Sequence, residues 1–77
     1  MMEEITVYTT QTCPWCSKVK EYLNGKGVEY REVDVATDFK AAQKMMETTG
    51  QRSVPVIAKG SDYIVGFDRE RIDSMLQ

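Results

Sequence analysis

Two cysteines three residues apart, Cys13 and Cys16, are the side chains in this sequence best suited to chemistry. At that spacing one thiolate can attack an external disulfide, and the second thiol can displace the captured partner and leave an internal disulfide. The same spacing is half of a zinc site, so it does not define redox chemistry by itself. The 77 residues hold no third cysteine and no histidine, however, so a four-ligand metal site would need a second subunit or an external thiol. The lack of histidine also removes every Ser-His or Cys-His arrangement. A disulfide-stapled secreted mini-protein spreads four or more cysteines along its chain, whereas a pair at i and i+3 ties almost nothing together. Redox exchange therefore leads, ahead of an intersubunit metal or cluster site and of an inert structural pair.

The elements that must position this pair can be read from the flanking pattern. Ile5 to Thr9 is rich in β-branched and aromatic residues and suits a buried strand. A polar turn follows, and Pro14 is placed to be the first helical residue, where its missing N–H costs nothing. Trp15, Val19, Tyr22 and Leu23 recur at helical spacing, and Asn24-Gly25 is the expected stop. Cys13 then sits at a helix N-terminus, where free backbone N–H groups and the helix dipole favour the thiolate. Cys16 lies about one turn further in.

Downstream, Val28 to Val35 reads as a second strand, and Thr37-Asp38 caps a second helix that runs to Gly50 with Phe39, Ala42 and Met46 on one face. Val54 to Ala58 and Tyr63 to Val65 read as a hairpin around Gly60-Ser61-Asp62. Asp68 caps a last helix with Ile72, Met75 and Leu76 inward. The order β-α-β-α-β-β-α implies an α/β fold, a four-stranded mixed sheet with helices on both faces. Phe39, Met45, Met46, Ile57, Ile64 and Ile72 are the core candidates. Trp15 has two competing positions: buried on the face of Val19, or exposed beside Cys13 as a flat apolar contact for a partner.

Composition bounds the rest. A chain of this length buries only roughly 60% of its unfolded surface, so one small domain over 1–77 is expected. With 42% hydrophobic and 29% charged residues it has the make-up of a folded globular protein. A net charge of −2 gives no footprint for nucleic acid. No apolar run is long enough to span a membrane, and the acidic start Met1-Met2-Glu3-Glu4 is unlike a secretory signal, so a cytoplasmic monomer is expected.

Three motifs in fixed order, Cys13-Pro14-Trp15-Cys16 after Tyr8-Thr9, then Ser53-Val54-Pro55, then Gly66-Phe67-Asp68, resemble the glutaredoxins and the related short redoxins of the NrdH type. The resemblance covers essentially the whole chain. It implies a thioredoxin-like fold with strand order 2-1-3-4 and a dithiol–disulfide oxidoreductase with Cys13 as nucleophile and Cys16 as resolving thiol. It also implies a cis Pro55 beside Cys13 and a Val54 backbone that pairs with the substrate chain, although a strand-initial proline needs no such role. Substrates would be protein disulfides or glutathione mixed disulfides. No organic cofactor is required, with glutathione as a possible co-substrate.

The departures from the family pattern concern the electron source. Many glutaredoxins carry a Lys where this chain has Thr10, a Tyr where it has Trp15, and Gly-x-Asp-Asp where it has Gly66-Phe67-Asp68-Arg69. Asp68, with the N–H groups of Phe67 and Asp68, would still suit a γ-glutamyl amine and carboxylate. Phe67 and Arg69 look more like the NrdH type, which takes electrons from thioredoxin reductase and serves a partner enzyme such as a ribonucleotide reductase. A cluster carrier, with Cys13 from two subunits and two external thiols around an iron-sulfur centre, is the remaining alternative. Arg52, ahead of Pro55, and Lys18, beyond Cys16, are charged candidates for a glutathione carboxylate, set against the ordinary reading of a solvated surface charge.

Overall fold

The computed structural model describes residues 4–76; the start Met1-Met2-Glu3 discussed above and Gln77 lie outside the described residues. The elements run β1 (Ile5–Thr9), α1 (Pro14–Gly25), β2 (Arg31–Asp34), α2 (Phe39–Thr49), β3 (Val56–Lys59), β4 (Asp62–Val65) and α3 (Arg69–Leu76). The four strands form one sheet in the order β2-β1-β3-β4. β1 and β2 are parallel, joined across α1, while β3 runs antiparallel to β1 and closes a hairpin with β4. This is the expected α/β thioredoxin-like architecture.

The sheet separates two apolar layers, and strand alternation assigns each residue to one of them. Ile5 and Val7 of β1, Ile57 of β3 and Ile64 of β4 meet Val19 and Leu23 of α1 and Ile72 of α3. On the opposite face Tyr8 and Val56 meet Met45 of α2. Val7, Tyr8 and Thr9 are consecutive yet all buried, because central β1 is covered on both faces. One helix does not span its face completely, and Tyr63 and Val65 of edge strand β4 remain 41% exposed.

Several expected boundaries shift. α1 continues through Gly25, and the left-handed residue that turns the chain is Gly27, with φ of 69°, so Gly25 is not the stop. β2 begins at Arg31 instead of Val28, and β3 at Val56 instead of Val54, while Asp62 belongs to β4. Asp38 does cap α2, its carboxylate accepting the Ala41 N–H at 3.0 Å, and Gly50 ends the helix in a left-handed conformation with φ of 72°.

The face of α2 is the larger correction. Phe39 is 80% exposed and Met46 is also exposed, so neither belongs to the core. The inward line is Ala41, Met45 and half-buried Thr49, whose hydroxyl donates back to the Met45 carbonyl at 2.8 Å. Met45, Ile57, Ile64 and Ile72 are buried as expected, with Met75 and Leu76 packed against the larger layer.

Candidate active site

The site is built where β1 hands over to α1. Cys13 is the N-cap of the helix: its backbone is extended, with φ of −97° and ψ of 108°, and its Sγ accepts the Cys16 N–H at 3.1 Å. A sulfur here takes the place of the Ser or Asp oxygen that ordinarily satisfies an orphan N–H of a first helical turn. Pro14 fills the first helical position, where no N–H is needed. The local sequence thus aims a helix terminus at the Cys13 sulfur.

The two thiols are unequal. Both are free, but Cys13 is half-buried whereas Cys16 is 1% exposed, on the inward stripe it shares with Val19 and Leu23. Burial first, and then the hydrogen bond and charge of Cys13, push the Cys16 thiol from 9.0 up to about 11, against the opposing pull of the Thr10 backbone and Lys20. Cys16 is therefore protonated at neutral pH. Lys20 itself is raised by its 2.8 Å bond to Glu32, which also accepts the Thr9 hydroxyl at 3.4 Å.

A raised thiol pKa has a stability consequence of definite sign. Between pH of about 9 and about 11 the unfolded chain has released the Cys16 proton while the folded chain retains it, so stability falls as pH rises through that window. The reduced protein should lose melting temperature there more steeply than Cys16→Ser, compared by thermal melts under reducing conditions. Parallel slopes would contradict the shift.

The second motif lies against the first. The Val54–Pro55 bond is cis, Pro55 is buried, and the Cys13 thiol donates to the Val54 carbonyl across 3.8 Å. The third motif is tied to the second: Gly66, with φ of 87°, donates its N–H to the Pro55 carbonyl at 2.8 Å. That left-handed turn is easy only for glycine, and it delivers Phe67 to a tilted contact with Trp15 at 6.3 Å between ring centroids. Trp15 is 55% exposed, so the outward of its two positions is the one adopted. Val54 thus touches Cys13 directly, Gly66 is tied to this segment through Pro55, and Phe67 joins Trp15.

The charged candidates converge less. Asp68 caps α3, its carboxylate accepting the Arg71 N–H at 3.2 Å. Arg52 is exposed and its Nε–H points at Met46 Sδ, 3.3 Å away. Ser53 is exposed, with its N–H taken by the Gln51 side chain through a short hydrogen bond. Lys18 is exposed on α1. Among the described residues no group of three or more acidic, cysteine or histidine side chains is gathered to hold a metal, and no helix is long and apolar enough to cross a membrane. One cluster escaped sequence reasoning: the Tyr22 hydroxyl donates to Asp73 at 2.6 Å, and Lys26 pairs with the same carboxylate oxygen at 2.9 Å. Tyr22 and Asp73 lie on two different helices and Lys26 just past the end of the first, and spacing within one helix gives no sign of the match.

A thioredoxin-like fold with a Cys-x-x-Cys pair at the first strand–helix junction defines a class of thiol–disulfide oxidoreductases. The glutaredoxin family model matches residues 5–64, and the chain belongs to the glutaredoxin family. It is 42% identical to an uncharacterized glutaredoxin-like 8.6 kDa protein in the rubredoxin operon of Clostridium pasteurianum, over 95% of this chain and 97% of that one. Among solved structures, a glutaredoxin from Archaeoglobus fulgidus superposes with a TM-score of 0.89 at 27% identity, covering 99% of this chain and 88% of the other. The glutaredoxin-like NrdH-redoxin of Escherichia coli, described as having a thioredoxin-like activity profile, gives 0.84 at 26% identity, covering 94% and 93%. The protein is a glutaredoxin-like thiol–disulfide oxidoreductase.

Proposed function

We propose that the protein reduces protein disulfides or glutathione mixed disulfides, with Cys13 as the attacking sulfur and Cys16 as the resolving thiol. The inequality of the two thiols carries this reading: one sulfur is half-buried and accepts a helix N–H, the other is buried and protonated. Cys13 thiolate attacks one sulfur of the substrate disulfide; the S–S bond breaks and the departing sulfur takes up a proton. Cys16 then loses its proton and attacks the Cys13 sulfur, and the second substrate sulfur leaves as a thiol. Two electrons and two protons have passed to the substrate, and the dithiol has become the Cys13–Cys16 disulfide.

Trp15, Arg52, Ser53, Val54, Pro55, Gly66, Phe67 and Asp68 surround this reaction as the substrate-contacting set. The Val54 backbone would pair with the substrate chain and the Trp15–Phe67 wall would hold its apolar side. Electrons come back from glutathione in the family's typical manner. A second reading has its own support: the apolar wall and the engagement of Asp68 in capping α3 suit a protein reductant. The NrdH-redoxin relative, with its thioredoxin-like activity profile, supports the same reading.

Coupled regeneration separates the two. After one turnover, the oxidised protein is offered either glutathione with glutathione reductase or thioredoxin reductase with NADPH. Regeneration by glutathione alone upholds the first reading, and regeneration by thioredoxin reductase alone replaces it with the second.

A further inference from the structure

The Tyr22–Asp73–Lys26 cluster lies on the flank of the aromatic wall, and the contacts run without a break from one to the other. Lys26 and the Tyr22 hydroxyl share a single oxygen of Asp73, and the Lys26 ammonium sits 5.1 Å from the centroid of the Tyr22 ring. The same ring meets Phe67 in an edge-to-face contact at 5.8 Å with an interplanar angle of 74°. Phe67 in turn meets Trp15. Trp15 and Tyr22 are seven residues apart on α1, roughly 10 Å along its axis, and the single ring of Phe67 bridges that span.

Phe67 precedes α3, which has only eight residues and could not hold its place by helix propensity. Its place comes from Ile72 in the core with Met75 and Leu76 packed beside it, the Asp68 cap, the Lys59 ammonium on the Met75 carbonyl at 2.9 Å, and Asp73 against α1. Ile72 sets α3 against Val19 and Leu23 of α1, and Asp73 adds the hydrogen bond that ties it to Tyr22, the residue on which Phe67 packs.

We infer that Tyr22, Asp73 and Lys26 form a positioning clamp that holds Phe67 against Trp15 and so fixes the shape of the partner-contacting wall beside Cys13. The clamp touches neither sulfur, so it governs recognition of large disulfide partners and leaves the exchange chemistry alone. This inference rests on the proposed role of the Trp15–Phe67 wall, and the test separates the two.

Pre-reduced wild type, Asp73→Ala, Asp73→Glu and Trp15→Ala are each mixed with insulin or with 2,2′-dithiodipyridine under single-turnover conditions. Asp73→Ala should slow the reaction with insulin about fivefold, the size of one lost aromatic contact, while the rate with the small disulfide stays within about twofold. Because Trp15 is the single tryptophan, its emission reports the wall directly. Its polarisation should fall in Asp73→Ala and recover in Asp73→Glu. Equal slowing with both disulfides, or a lower melting temperature with unchanged Trp15 polarisation, would overturn the clamp. If Trp15→Ala slows insulin but Asp73→Ala does not, the wall stands and the clamp fails; if Trp15→Ala leaves the insulin rate unchanged, the wall itself fails, and the clamp's proposed purpose fails with it.

Discussion

Replacing Cys13 with serine should abolish turnover, by on the order of a thousandfold or more, because a serine hydroxyl is not ionised near neutral pH and cannot attack a disulfide. The companion change, Cys16→Ser, should have a different signature. First exchange survives, but nothing displaces the captured partner, so the substrate stays attached to Cys13 and appears as a mass adduct that dithiothreitol removes. Both follow from the asymmetry of the pair, with the Cys13 sulfur reachable and the Cys16 sulfur 1% exposed beneath the first helical turn. An adduct on Cys16 in the Cys13→Ser protein, with turnover retained, would reverse the two roles.

The largest stability effect should come from Leu23→Ala. Leu23 is fully buried and sits where α1 meets both the sheet and α3, in the layer that also holds Val7, Val19, Ile57 and Ile72. Removing such a side chain loses its transfer energy and leaves a cavity, about 3 kcal/mol together. Against the 5–15 kcal/mol typical of a whole domain, that is a large share, and in a chain of this size it should lower the melting temperature by about 15 °C. Calorimetry on the reduced protein measures it. A shift below about 4 °C would mean that the space closes on relaxation.

The fold was legible because its signals were local and redundant. Pro14 and Asp38 start two helices at the expected residues, and the alternation of buried Ile64 with exposed Tyr63 and Val65 marks the return strand of the hairpin. The cysteine pair at the first strand–helix junction was legible from its spacing and its flanking residues, and the cis Pro55 only through the family resemblance.

What the sequence concealed was rotation about a helix axis. On α1 the buried stripe is Cys16, Val19 and Leu23, and Trp15 stands one residue, about 100°, away from it. On α2 the buried residue is Met45 and its exposed neighbour is Met46, with the same angular difference. Each helix carries apolar residues on two adjoining faces, and only the shape of the opposing layer decides between them. Met45 is the α2 side chain buried against Tyr8 and Val56, with Ala41 packed beside it, and Phe39 and Met46 lie outside that contact. The clamp of Tyr22, Lys26 and Asp73 was hidden for a related reason: residues 51 positions apart in sequence meet only after α1 and α3 have docked.

The dependence of Cys16 on its neighbour also gives the protein a latch in time. Part of what holds the Cys16 proton in place is Cys13 itself, through its hydrogen bond and its charge. In the proposed mechanism a mixed disulfide on Cys13 takes that hydrogen bond and charge away, leaving burial opposed by the Thr10 backbone and Lys20. On that proposal, capture of a partner at Cys13 is the event that arms its release by Cys16. The burial of Cys16 also keeps the second sulfur out of reach of stray oxidants and alkylating agents while the dithiol waits.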